Sequence, residues 1–180
     1  ILDKINHSIV DNADIQNVVA VLKSGFLSKP DGGPKVIEFQ KLMADLHGKK
    51  YAFAVNSGTS ALHCAIVALK LRKDDEIVIP ALANIADCSV ILQEGGKSVF
   101  VDISPDDFNI DPAKIEEKIN SRTKAIIVVH MYGQPTKIKE IRKIADKHEL
   151  VLIEDCAQAA GAKYDNKYVG SFGDLSCFSL

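Results

Sequence analysis

Six short apolar runs constrain this chain more than any other feature: "YAFAV" (51–55), "EIVIP" (76–80), "SVFVD" (98–102), "AIIVVH" (125–130), "LVLIED" (150–155) and "LSCFSL" (175–180). They are nearly continuous rather than alternating, as expected of strands covered on both faces. Helical patterns lie between most of them. "SALHCAIVALKL" is one. Another begins at Asp111-Pro112, an N-cap followed by proline at the first helical position, and carries Ile115 and Ile119. A third places Ile138, Ile141, Ile144 and Ala145 on one face. Before the first run, Ile15, Val18, Val19 and Leu22 mark an amphipathic helix with Asp14 near its start. Residues 35–47 read as a second, with Phe39, Met43 and Leu46 on one face, and "GFLSKPDGGP" between them reads as a loop. Strand and helix in alternation predict an α/β fold, a mostly parallel, doubly wound sheet with helices on both faces.

In such sheets ligands bind beyond the carboxyl ends of the strands. The residues there are "NSGTS" after Val55, "PALAN" after Ile79, Asp102 after Val101, "HMYGQP" after Val129, and Glu154, Asp155 and Gln158 after Ile153, with Ser179 in the last run. "NSGTSALH" is a strand-to-helix turn. Gly58 permits close backbone approach, and Thr59 and Ser60 add hydroxyls where a helix start offers free N–H groups. Two readings stand side by side: a phosphate cup, and a capped helix with Ser57 as N-cap and no ligand. The turn lacks the G-K-[ST] ending of a P-loop, and G-x-G-x-x-G occurs nowhere in the chain, which disfavours a nicotinamide-binding domain. Asp155 ends an interior strand, where a carboxylate needs a partner. A protonated ring nitrogen would serve, with Gln158 aiming an amide at the same site. So would a loop N–H or a distant Lys or Arg.

The remaining signals are blander. No metal-ligand spacing joins His7, His47, His63, His130 and His148. His63 and His148 lie in helical stretches and read as structural, and His130 and Tyr132 sit at the rim, more in keeping with satisfied polar groups than with catalysts. Asp174 reads as the residue ordering the Gly-rich turn. Cys64, Cys88, Cys156 and Cys177 form no C-x-x-C pair and read as reduced, mostly buried thiols of a cytoplasmic protein. The net charge of -2 gives no footprint for nucleic acid or an acidic membrane, and no run reaches the length of a membrane span. "ILDKINHSIV" is too charged for a signal peptide.

A phosphate cup and a carboxylate able to face a pyridinium on one rim fit pyridoxal 5'-phosphate, which needs an acid opposite its ring nitrogen to act as an electron sink. From about Asp14 onward the chain resembles the DegT/DnrJ/EryC1/StrS family of pyridoxal-phosphate-dependent sugar aminotransferases. The resemblance rests on "VLKSGFLS", "VIEFQKLMADLHGKKYAFAVNSGTSALHCAIVAL", "DEIVIPAL", "VFVDISPDDFNIDPAKIEEKI", "TKAIIVVHMYGQP" and "LIEDCAQAAGAKYDNKYVGSFGDLSCFSL". It implies the large domain of a fold-type I transferase, a homodimer with interfacial sites, and amino transfer, usually from glutamate, to a nucleotide-linked keto sugar in amino-sugar and polysaccharide biosynthesis. Carried over by position, Thr59 and Ser60 beside Gly58 would bind the cofactor phosphate together with Ser179. Asp155 would pair with the pyridine nitrogen, and Gln158 would lie near the cofactor's hydroxyl. Asn84 stands where many members carry an aromatic residue that stacks on the ring. The family's Schiff-base lysine lies a few residues beyond the match to Ser179, so residues 1–180 are expected to be the N-terminal part of the large domain, cut before that lysine and the small C-terminal domain. Lys163 and Lys167 do not stand in for it. The alternatives are a dehydratase of the same family with histidine in the lysine's place, and a catalytically inactive regulatory paralogue.

Overall fold

The structure is a computed structural model that describes residues 10–27 and 32–180. The charged N-terminal stretch 1–9, with His7, and positions 28–31 of the expected loop lie outside the described residues. A five-stranded sheet has the order β2-β1-β3-β4-β7, formed by Lys97–Val101 (β2), Glu76–Pro80 (β1), Thr123–Val129 (β3), Val151–Asp155 (β4) and Leu175–Cys177 (β7). Every pair within it is parallel. The helices are α1 (Asn12–Ser24), α2 (Pro34–His47), α3 (Gly58–Ala68), α4 (Ile85–Gln93) and α5 (Ile138–Lys147). A two-stranded hairpin, β5 (Lys163–Tyr164) and β6 (Lys167–Tyr168), lies between β4 and β7.

The sheet is doubly wound because its strands alternate side chains between two apolar layers. Ile77, Ile79, Ala125, Ile127, Ile153 and Cys177 pack on one face with Leu62, Ala65 and Ile66 of α3 and Ala86, Val90 and Ile91 of α4. Val78, Val101, Ile126, Val128 and Leu152 pack on the other with Ile138, Ile141 and Ala145 of α5 and with Ile110 and Ile115. Burial on both faces explains why these strands read as unbroken apolar runs. The same parity decides where the carboxylates go. Asp155 follows Ile153 and faces α3 and α4, whereas Glu154 follows Leu152 and faces the other layer.

Several expectations need correction. "YAFAV" forms no strand and belongs to no sheet among the described residues, and Phe53 is 79% exposed. A strand needs a neighbour to satisfy its ladder, and here the backbone N–H of Ala54 is met by the Gln40 side chain at 2.9 Å. The segment after Asp111-Pro112 is not one helix but two 3₁₀ turns, Pro112–Lys114 and Glu116–Lys118, although Asp111 caps it as expected, accepting from the N–H of Ala113 at 3.0 Å. The last apolar run is strand only over Leu175–Cys177. The α1 stripe of Ile15, Val18, Val19 and Leu22 is exposed, as are Phe39 and Leu46 on α2, whose buried residues are Ala44 and His47. Cys156 and Cys177 are buried, but Cys64 is exposed. Asp14 does sit in the first turn of α1, in a capping box with Asp11.

Candidate active site

The loop before α3 folds as its composition directs. Ser57 is the N-cap, its hydroxyl accepting from the N–H of Ser60 at 3.1 Å, and the Ser60 hydroxyl donates to Asn56 Oδ1 at 2.6 Å. The capped-helix reading is therefore correct locally, and it leaves the cup open: the first-turn N–H groups of Gly58 and Thr59 have no intrahelical acceptor. Ser179 lies directly against this turn. A Cβ at position 58 would lie 2.9 Å from the Cβ and 3.3 Å from the Oγ of Ser179. The glycine is thus required by a close approach between the start of α3 and the end of β7, which brings the Gly58-Thr59-Ser60 turn and the Ser179 hydroxyl together.

β4 delivers Asp155 to the same rim. It pairs with Cys177, two residues before Ser179, and with Val129 of β3. Its Oδ1 accepts from the N–H of Ala157 at 2.9 Å, and the side of it facing α4 meets the carboxyl of Asp87. Burial raises the Asp155 carboxyl above its ordinary value, while the Ala157 N–H, the field of His130 and the Asp87 side chain pull it down. Gln158 is exposed, and its Oε1 accepts from the N–H of Tyr132 at 2.8 Å, which leaves the amide NH₂ free to donate. Tyr132 sits in the left-handed region, with φ 55°, inside the turn Met131–Gly133. Asn84 is exposed and caps α4, its Oδ1 accepting from the N–H of Ala86 at 2.9 Å. Among the described residues no hydrogen bond joins Asn84 or Gln158 to Asp155.

Glu154 points the other way and does different work. It is fully buried, accepts from His130 Nε2 at 3.0 Å, and accepts from the backbone N–H groups of Gly170, Phe172 and Gly173. His130 Nδ1 accepts from the N–H of Thr136 at 3.1 Å, which fixes the ring's proton on Nε2. Burial pushes the Glu154 carboxyl up, but the His130 donor and the N–H groups of Gly173 and Gly170 outweigh it and hold it below the usual range. Cys156 lies within reach of both. This trio is a structural hub that fastens the Gly-rich loop, and its donors and acceptors are engaged with one another. Asp174 ties the same loop to β4, accepting from the N–H of Leu152 at 2.7 Å and from Arg142 at 2.9 Å. His63 pairs with Glu94, and His148 with Glu116. Lys163 and Lys167 lie on the hairpin.

A cavity of about 370 Å³ lies beside this rim rather than on it, between residues 49–58, α2, α3 and the free edge of β7. Its lining is largely apolar and includes Phe39, Met43, Phe53, Val55 and Phe178, and it borders the turn through Gly58 and Ser179.

A parallel α/β sheet flanked by helices in this order is the fold of the large domain of pyridoxal-phosphate-dependent aminotransferases. The chain belongs to the DegT/DnrJ/EryC1/StrS aminotransferase family, whose model matches residues 8–180. It is 45% identical over 148 residues to a GDP-perosamine synthase of Caulobacter vibrioides, covering 82% of this chain and 40% of that one. Among solved structures, an aminotransferase from Psychrobacter cryohalolentis superposes with a TM-score of 0.89 at 34% identity, over 94% of this chain and 43% of that one. A GDP-4-keto-6-deoxymannose-3-dehydratase with bound GDP-perosamine superposes equally well, with a TM-score of 0.89 at 32% identity, over 96% of this chain and 45% of that one. The chain spans about two fifths of the length of the curated relatives it matches.

The rim suits the family's cofactor on structural grounds. Gly58 leaves room that any other residue would fill, α3 points its N-terminus there, and Asp155 is a nearly buried acceptor at the strand tip. One residue of this site has no counterpart in the reading of the sequence: Asp87, in the first turn of α4. The signal was available, because Asn84 followed by a carboxylate three positions later is a helix-start pattern.

Proposed function

We propose that these 180 residues are the N-terminal part of a pyridoxal-phosphate-dependent aminotransferase that moves an amino group, from a donor such as glutamate, to a keto group on a nucleotide-linked sugar. The observation that carries the reading is the contact of Gly58 with Ser179 on the rim that also holds Asp155. Gly58, Thr59, Ser60 and Ser179 would hold the phosphate through N–H groups and hydroxyls. Asp155 would accept from the ring nitrogen and keep it protonated, and the amide NH₂ of Gln158 would donate to the ring's oxygen. When bound, the cofactor would supply an electron sink for the substrate's reacting carbon. Asn84 would lie by the ring's face, where it offers little stacking area. In this reading the enzyme is a cytoplasmic homodimer, with the remaining site residues on the partner and on the second half of the protein. No described helix is long and apolar enough to cross a membrane.

The similarity to a sugar 3-dehydratase favours a second reading, removal of a sugar hydroxyl on the same cofactor. The test uses full-length protein with GDP- and dTDP-linked 4-keto sugars and glutamate. Amino-sugar product supports transfer, and keto-deoxy sugar supports dehydration. Asp155→Ala is expected to abolish either, and near-normal turnover by that variant would overturn the role of Asp155.

A further inference from the structure

Asp87 and Asp155 form a pair that the proposed reaction does not by itself explain. Asp87 is 0% exposed and Asp155 3% exposed. Neither oxygen of Asp87 receives a hydrogen bond from an N–H or O–H of the described residues, although the backbone at the start of α4 is near. What lies against it is the other carboxyl, within hydrogen-bonding reach. The strand parity of β4 creates this contact by turning Asp155 toward α4. Two carboxylates that touch where water is scarce cannot both be ionised, since each anion loses its hydration and repels the other. One proton has to lie between them.

The partners decide where it sits. Asp155 accepts the Ala157 N–H, and its backbone carbonyl is bound by the His130 N–H at 3.1 Å. Asp87 has near it only the N–H groups of Asn84 and of its own residue, neither in full hydrogen-bonding geometry, and they pull it down less than burial and Asp155 push it up. Burial, with the charge of Asp155 adding to it, pushes Asp87 up to about 7. The other titratable groups around the pair are thiols and one imidazole. Cys177 on β7 is pushed up to about 12 by burial, Cys156 is higher still, Cys64 lies on α3, and His130 is bound to Glu154. None of them offers a better home for the proton.

We propose that Asp87 is a positioning residue, a neutral carboxylic acid whose O–H donates to the Asp155 carboxylate and aims it at the ring nitrogen of the cofactor. The second half of this statement rests on the cofactor reading above. The first does not. The hydrogen bond holds Asp155 in one rotamer before the cofactor arrives, and it withdraws charge from the oxygen that the ring nitrogen would meet. A weaker acceptor sets a lower proton affinity for the ring, so Asp87 would tune how firmly the cofactor stays protonated as pH rises.

The experiment has two readouts on full-length protein. Difference infrared spectra of the cofactor-free wild type, taken across about pH 5 to 9, should show one carboxylic C=O band that persists at about pH 6, where ordinary carboxyls are ionised. The band should be absent in Asp87→Asn. Pyridoxal phosphate binding is then titrated by absorbance. Asp87→Asn, whose NH₂ still donates, should bind within about threefold of wild type, whereas Asp87→Leu should lose on the order of tenfold and shift the pH profile of the bound cofactor's absorbance. No such band in wild type, or its survival in Asp87→Asn, overturns the carboxyl pair. An unchanged affinity and pH profile in Asp87→Leu overturns the positioning role. A band that behaves as expected in a protein that binds no pyridoxal phosphate supports the pair and overturns the cofactor reading instead.

Discussion

His130 and Glu154, both completely buried, meet at 3.0 Å through Nε2, and that contact closes a chain running from Thr136 through the imidazole to the loop 170–173. Glu154 is the anion in this chain, and each of its oxygens accepts two donors, so replacing one oxygen by an NH₂ leaves two of the four donors facing another donor. Glu154→Gln is expected to destabilise the protein by about 1–3 kcal/mol for each buried donor left without an acceptor. Urea unfolding of full-length protein reads it directly. Because the folded carboxyl titrates below its unfolded value, this stabilisation is present above the unfolded value of about 4.3 and is lost as pH falls through the lower, folded one. The wild type should therefore lose stability in acid more steeply than Glu154→Gln.

Gly58→Ala tests the cup. The added methyl would lie 2.9 Å from Ser179 Cβ, an atom too close to the backbone to swing aside, with the Phe178 carbonyl at 3.5 Å behind it. Either α3 or the segment after β7 must shift, which separates the two halves of the proposed phosphate site. Pyridoxal phosphate affinity is expected to fall by on the order of tenfold or more. Adding Ser179→Gly should recover fold stability by making room, yet not affinity, because the hydroxyl is gone. Wild-type affinity in Gly58→Ala would show that the phosphate sits elsewhere.

The buried acid pair makes a separate prediction about stability between acid and neutral pH. Asp87 is raised to about 7 in the fold, against about 3.9 when unfolded. A raised group contributes fully below its unfolded value, and that contribution is lost as pH climbs through the folded one. Between about pH 4 and 7 the loss amounts to roughly 1.4 kcal/mol per unit at most. Asp87→Asn removes this dependence, so its stability relative to wild type should improve steadily from acid to neutral pH and then level off. A constant difference across that range in chemical denaturation would exclude a proton bound at Asp87.

What could be read from the sequence follows from how local each signal is. β1, β3 and β4 announce themselves because both faces are covered, and Asp111, Pro112 and Ser57 mark their turns through side chains that act within a few residues. The strand expected at 51–55 failed because pairing is a property of two segments, and an apolar run does not carry its partner with it. α4 was missed because nine residues with a polar start give little periodicity. The hairpin was missed because its turn residues, Asp165 and Asn166, are a modest signal in sequence, although both take positive φ, 47° and 62°, as a primed hairpin turn demands. At the rim, Gly58, Thr59, Ser60, Asp155, Gln158 and Ser179 were legible as residue types in register. That Glu154 would turn inward as a scaffold while Asp155 met a second acid depended on the parity of β4 and on what α4 set against it.

Among the described residues β7 pairs with β4 on one side only, and Tyr51, Phe53 and Val55, apolar and open to water, line the same cavity as Ser176 and Phe178. Such an edge is a template for any extended peptide that drifts against it.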